Sequence, residues 1–191
     1  MKILFLGPHK ESQKKIINYL KKDKNQIINI NTDINFENID GNFDFLISYG
    51  YKYKIKKEIL QKIKIISLNL HISYLPWNKG ADPNFWSFAE NTPRGVSIHE
   101  INEKIDDGPI IYRRKISYKK SDTLFSSYYT LLESIESLFF EKWKYLKKNN
   151  YKKKMIYEKG SFHSSKDIDN YINFLHNGWD TEVKNIIGIA K

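Results

Sequence analysis

The feature that most constrains this chain is an alternation of short apolar runs and helical stretches over its first seventy residues. Residues 2–6 form an apolar run ended by Gly7-Pro8, and residues 11–23 carry Ile16, Ile17 and Leu20 at helical spacing. Residues 26–31 read as a second strand, residues 33–42 are polar and turn-rich, and residues 44–49 are a buried-type strand closed by Gly50. Residues 55–63 then predict a helix and residues 64–68 a further strand. Strands that alternate with short helices run parallel, because a parallel pair needs a crossover and a helix supplies it. The first part of the chain is therefore expected to be an open α/β sheet.

The pattern breaks at residues 69–84, a loop expected to hold Pro76, Gly80 and Pro83 and to begin at the end of a strand. Ligands of open parallel sheets bind beyond the carboxyl ends of the strands, so polar residues here occupy a favoured position. The sheet resumes with residues 95–101 and 109–118, which the acidic turn Asp106-Asp107-Gly108 joins as an antiparallel pair. Ser121 or Asp122 can cap a long helix in which Leu124, Tyr128, Leu131, Ile135, Leu138, Phe139, Trp143 and Leu146 recur at the helical period. Residues 1–150 are expected to form the main domain, and residues 151–191 a short appendage packed on it. In the appendage, residues 155–157 are a strand candidate and a helix is capped near Ser165.

Composition removes several classes of chemistry. The chain has no cysteine, hence no thiolate nucleophile, disulfide or cysteine metal ligand, which fits a reducing compartment. No apolar run approaches the roughly 20 residues that span a bilayer, and the apolar start is shorter than a signal-peptide core. A cytoplasmic protein without a membrane partner is expected. The charge of +10 invites a nucleic-acid partner, but the lysines are scattered through Ile/Asn/Tyr-rich stretches rather than gathered in one stripe, which argues against it. A Gly-rich phosphate loop, a dinucleotide fingerprint and a Gly-x-Ser-x-Gly elbow are all absent from the sequence. The five histidines are scattered without the helical spacing of a zinc pair, so no metal is expected.

Asn69-Leu70-His71 stands out at the end of a strand, where alternation points residues i and i+2 to one side. An Asn amide can donate to a developing oxyanion and an imidazole can exchange a proton near neutral pH. A nearby carboxylate would orient the ring and favour its protonated form.

The surroundings sharpen this reading. Asn69-Leu70-His71-Ile72-Ser73-Tyr74-Leu75-Pro76-Trp77-Asn78-Lys79-Gly80, followed by Gly95-Val96-Ser97-Ile98-His99 and then Ile105-Asp106-Asp107-Gly108-Pro109, resembles the formyltransferases that use 10-formyltetrahydrofolate. The match runs in family order across residues 44–118. The resemblance implies a Rossmann-like fold: an open, twisted, mostly parallel sheet with helices on both faces. It puts the catalytic Asn at Asn69, the His at His71 and the Asp at Asp106, with Asp107 a turn residue; His99, on the following strand, is family-like but is expected in a structural hydrogen-bonding role rather than in catalysis. The folate donor would lie beside Tyr49, Gly50, Tyr51 and Lys52 and beside Asn102, Glu103, Lys104 and Ile105, largely against backbone groups. The implied chemistry is direct transfer of the formyl group to an amine, with no acyl-enzyme.

Three acceptors are known for such enzymes: a glycinamide ribotide, methionyl-tRNA, and amino sugars carried on nucleotides. Ribotide enzymes place a small phosphate loop after the first strand, where this chain has Gly7-Pro8-His9-Lys10-Glu11. The tRNA enzymes carry a large C-terminal barrel, which the roughly forty residues beyond Asn150 are too few to build. The loop from Leu75 to Trp86 looks like that of sugar N-formyltransferases, which makes Trp77, Asn78 and Lys79 the candidate sugar-nucleotide contacts, Lys79 toward a pyrophosphate. A homodimer, as in sugar-modifying relatives, and a non-catalytic ligand- or nucleic-acid-binding protein on the same scaffold both stay open.

Overall fold

Four consecutive residues of the first strand, Ile3 to Leu6, are completely buried, so this strand has neighbours on both edges and cover on both faces. The structure is a computed structural model and describes residues 1–190. Its elements are β1 (Lys2–Leu6), α1 (Glu11–Lys22), β2 (Gln26–Ile30), β3 (Phe43–Ser48), α2 (Lys57–Leu60), β4 (Ile63–His71), β5 (Lys79–Gly80), α3 (Pro83–Ala89), β6 (Gly95–Glu100), β7 (Ile110–Lys115), α4 (Leu124–Leu146) and β8 (Phe162–His163). Six strands make the main sheet in the order β2-β1-β3-β4-β6-β7, and β5 pairs with β8 in a separate two-stranded ribbon. The pairs β1–β2, β1–β3 and β3–β4 are parallel, while β4–β6 and β6–β7 are antiparallel.

Alternation along the strands divides the core in two. Ile3, Phe5, Phe45, Ile47, Leu68, Leu70, Val96 and Ile98 cluster with Ile16 and Leu20 of α1 and with Leu131, Ile135, Leu138, Phe139, Trp143 and Leu146 of α4. Leu4, Leu6 and Leu46 cluster with Ile34, Ile39 and Ile55 of the connecting segments and with Ile59 of α2. Helices thus cover both faces, as expected. Trp143, edge-on to Phe45 at 5.3 Å, donates its indole N–H to Asp23 at 2.8 Å. Its truncation to Ala should cost about 3–5 kcal/mol.

Several local expectations are corrected. The cap of α4 is Thr123, one residue beyond those expected, and it forms a capping box with Ser126 worth about 1 kcal/mol. The fourth strand does not end at residue 68: pairing of Leu68–His71 with β6 carries β4 through His71, so Asn69 and His71 are strand residues. The expected loop is broken by β5 and by α3. All seven residues of α3 are buried, so the sequence there has no amphipathic period to announce a helix. The helix expected over residues 55–63 shrinks to Lys57–Leu60. No strand forms at residues 155–157; Lys154 makes a single bridge to Ile110. The helix near Ser165 is a 3-10 segment, Asp167–Phe174, whose start Ser164 and Asp167 tie together by two hydrogen bonds.

Candidate active site

The crossing from parallel to antiparallel pairing falls at the end of β4. There Asn69 has Ser48 of β3 on one side and His99 of β6 on the other, and His71 lies opposite Ser97. The two-residue repeat of a strand turns the side chains of Asn69 and His71 the same way. Both meet Asp106.

Asp106 reaches them from the loop between β6 and β7, in the left-handed region at φ 49°, which Asp tolerates better than most residues. Gly108 secures that loop: a Cβ there would stand 1.9 Å from the Glu100 carbonyl oxygen, so only glycine lets the strands approach this closely. The carboxylate is only 8% exposed. Its Oδ1 accepts from Asn69 Nδ2 at 2.9 Å and its Oδ2 accepts from the Gly80 N–H at 2.9 Å. His71 Nε2 lies 3.5 Å from Oδ2 and His99 Nε2 lies 3.3 Å from Oδ1.

Burial pushes the Asp106 carboxyl up, but the His71 ring, the His99 ring and the Gly80 N–H outweigh it and hold the group well below the usual carboxylate range. Asp106 is therefore an anion at neutral pH. For His71 the balance falls the other way: burial lowers the imidazole below its usual value, and the opposing pull of Asp106 does not restore it. Asp106 does favour the protonated ring, as expected, but burial outweighs it. The resting ring is neutral.

Its tautomer follows from its neighbours. Nε2 faces the Asn78 carbonyl oxygen at 3.2 Å as well as Asp106 Oδ2, both acceptors, so Nε2 carries the hydrogen and Nδ1 the lone pair. His99 donates from Nδ1 to the Glu100 carbonyl at 2.9 Å, which agrees with the hydrogen-bonding role expected of it. Its Nε2 is 3.2 Å from the Asn69 amide nitrogen, so it also abuts the central pair.

The other expected site residues divide. Tyr49 is buried, and its carbonyl accepts from Gln13. Gly50 follows at φ 67°, and Tyr51 donates to the Thr32 carbonyl at 2.9 Å. Tyr51 thereby joins this loop to an open cavity of about 550 Å³ lined by His9, Asn29, Asn31, Thr32 and Asp33. Asn102 Oδ1 accepts from the Lys104 N–H, and Ile105 presents an apolar side chain, 51% exposed, next to Asp106.

On the acceptor side, Trp77 is half-buried at the loop, whereas Asn78 is completely buried, its amide held by Thr92 and Ser161. The Asn78 side chain is thus committed to internal hydrogen bonds. Lys79 is ion-paired with Asp107, so Asp107 is more than a turn residue. The sequence reading missed three groups: the Gly80 N–H, the Asn78 carbonyl and Ser161. All act through backbone or through pairing of distant segments, for which residue identities give no signal. Among the described residues no cluster of His, Asp or Glu is arranged to hold a metal ion, and no helix is long and apolar enough to cross a membrane.

Comparison with known proteins extends this picture. A family model described as formyl transferase matches residues 3–141. The formyltransferase PseJ from Anoxybacillus kamchatkensis, solved in complex with UDP-4,6-dideoxy-4-formamido-L-AltNAc and tetrahydrofolate, is 41% identical over 100% of both chains, with a TM-score of 0.94. A dTDP-4-amino-4,6-dideoxyglucose formyltransferase of Mycobacterium bovis is 26% identical over 127 residues, 66% of this chain and 53% of the relative. A GDP-perosamine N-formyltransferase of Brucella melitensis is 33% identical over 97 residues, 49% of this chain and 38% of the relative. The chain spans about half the length, or less, of these two curated relatives.

Proposed function

Since the chain belongs to the formyl transferase family, we propose that it moves a formyl group from 10-formyltetrahydrofolate to the amine of a nucleotide-linked amino sugar. The observation that carries this reading is the convergence of Asn69, neutral His71 and anionic Asp106 at the end of β4, beside a loop that resembles those of sugar enzymes. Within that class, the likeness to a protein holding a UDP-linked 4-formamido sugar favours a UDP-linked 4-amino-4,6-dideoxy sugar as acceptor. A cytoplasmic location fits, because both substrates are soluble small molecules.

When bound beside Tyr49 to Tyr51 and Asn102 to Ile105, the folate supplies an activated formyl group and leaves as an amine. The chain's own residues do the rest. His71 Nδ1, the unprotonated ring nitrogen, takes the proton that the acceptor amine sheds as it attacks the formyl carbon. The imidazolium so formed faces Asp106, already ionised and 3.5 Å away, so the developing charge meets a fixed counter-charge in a water-poor site. His71 can then return the proton to the departing folate nitrogen. The Asn69 amide meets the charge on the formyl oxygen with the hydrogen it holds toward His99, the longer of its two contacts at 3.2 Å against 2.9 Å. Asp106 anchors Asn69 and His71 together, which fixes the reacting geometry in advance.

Initial rates on a panel of UDP-, dTDP- and GDP-linked 3-amino and 4-amino sugars, with methionyl-tRNA included, test the proposal. The expected outcome is a product heavier by one formyl group with the UDP-linked 4-amino sugar fastest. Faster formylation of methionyl-tRNA than of every sugar would overturn it.

A further inference from the structure

Residues Gly160 to His163 lie more than fifty positions beyond Asp106, yet they pair with β5, the strand whose Gly80 N–H holds Asp106. Gly160 packs directly on the Pro76 carbonyl: a Cβ at this position would stand 1.8 Å from that oxygen. From there the chain runs parallel to β5, with the Lys79 N–H donating to the Ser161 carbonyl and the Ala81 N–H donating to the His163 carbonyl, each at 2.9 Å. Between these two bonds sits Gly80, whose N–H holds Asp106 Oδ2.

Ser161 makes a second connection. Its Oγ accepts from the Asn78 N–H at 3.0 Å and donates to Asn78 Oδ1 at 3.2 Å. Asn78 in turn donates from Nδ2 to Thr92 Oγ1 at 2.9 Å. Asn78 is completely buried and left-handed at φ 55°, so this backbone conformation is held by the hydroxyls of Ser161 and Thr92. The one group of Asn78 turned to the centre is its carbonyl oxygen, which faces His71 Nε2.

Resting on the formyl-transfer reading, we propose that Ser161 is a positioning residue for His71: it holds Asn78 so that the Asn78 carbonyl keeps the imidazole hydrogen on Nε2 and leaves the Nδ1 lone pair for the acceptor amine. The physical ground is that Asp106 Oδ2, at 3.5 Å and already bonded to Gly80, is the longer of the two acceptors on Nε2, so the carbonyl at 3.2 Å decides the tautomer. Without the Ser161 hydroxyl the Asn78 N–H and Oδ1 each lose a buried partner. The peptide then relaxes out of its left-handed conformation and the carbonyl swings from the ring.

The test pairs Ser161→Ala with Ser161→Thr, which keeps the hydroxyl. Formylation by Ser161→Ala should show kcat lower by about 10- to 100-fold, the scale of a misplaced catalytic group, with KM for both substrates within about twofold of the parent. Ser161→Thr should recover most of the loss. Nitrogen-15 NMR of the imidazole, read without substrate, should find His71 with its hydrogen on Nε2 in the parent and shared between the two nitrogens in Ser161→Ala. A folded Ser161→Ala protein with unchanged kcat, or with the parent's tautomer, would overturn the proposal. If Ser161→Ala does not fold, Thr92→Val removes a neighbouring bond from the same Asn78 amide and must shift the same resonances. If the parent formylates no amine at all, the formyl-transfer reading fails, while the NMR comparison still decides the positioning role.

Discussion

Asp106→Asn isolates the electrostatic part of the mechanism. Asn has the same shape and is at home at φ 49°, so the loop keeps its conformation. What changes is the charge facing His71. The imidazolium formed during transfer lies 3.5 Å from Oδ2, and at an effective dielectric constant near 20 the lost attraction is about 5 kcal/mol. Part of this returns through rearranged dipoles, so a fall in kcat of about 10³-fold is expected, each tenfold corresponding to about 1.4 kcal/mol. Stability responds less. Asn69 Nδ2 and the Gly80 N–H both donate to the carboxylate, and an amide offers them only one oxygen. One donor is stranded at about 1–3 kcal/mol, which for a chain of this size lowers Tm by about 2–12 °C. Steady-state formylation and thermal denaturation of the two proteins, run side by side, measure both effects. Turnover within tenfold of the parent, in a variant with the expected Tm loss, would refute the role given to the charge.

Three further outcomes follow from the same geometry. His71→Ala should lose about 10²- to 10⁴-fold in kcat while its circular dichroism is unchanged; retained turnover would remove His71 from the mechanism. Acid should destabilise the fold in two stages: His71, lowered in the folded state, leaves the unfolded chain binding the extra proton as pH drops below about 6.5, and Asp106, also lowered, adds its loss as pH falls through and below about 3.8. Urea midpoints measured from pH 8 to pH 3 should therefore fall, and Asp106→Asn should flatten the lower stage. Gly108→Ala should cost activity more than folding, because the clash at 1.9 Å with the Glu100 carbonyl is relieved by moving the loop that carries Asp106; kinetics alongside thermal melting checks this, and parental kcat would contradict it.

The parts legible in the sequence are those carried by local pattern. Buried strands announce themselves as apolar runs, so β1, β3 and the start of β4 were visible, as was the one-sided display of Asn69 and His71 across Leu70. The choice of Asp106 over Asp107 came from the resemblance to the formyltransferases rather than from local pattern. What stayed hidden depends on partners far along the chain. Nothing local says that β6 will pair with Leu68–His71 and extend β4, or that β8 will pair with Lys79–Gly80. The helix α3 is buried on every side and so carries no stripe. The protonation state of His71 is a contest between burial and a neighbouring charge, and only the fold sets the burial. The same holds for the ion pair of Lys79 with Asp107, and for Asn78, which a sequence cannot distinguish from an exposed loop amide.

The most direct test of the account is a single turnover with a carbon-13 formyl donor and the UDP-linked 4-amino sugar, followed by mass spectrometry of both sugar and protein. The account predicts the label on the sugar amine and none on the protein. Label retained on the protein, or absent from the sugar although both substrates bind, would contradict it.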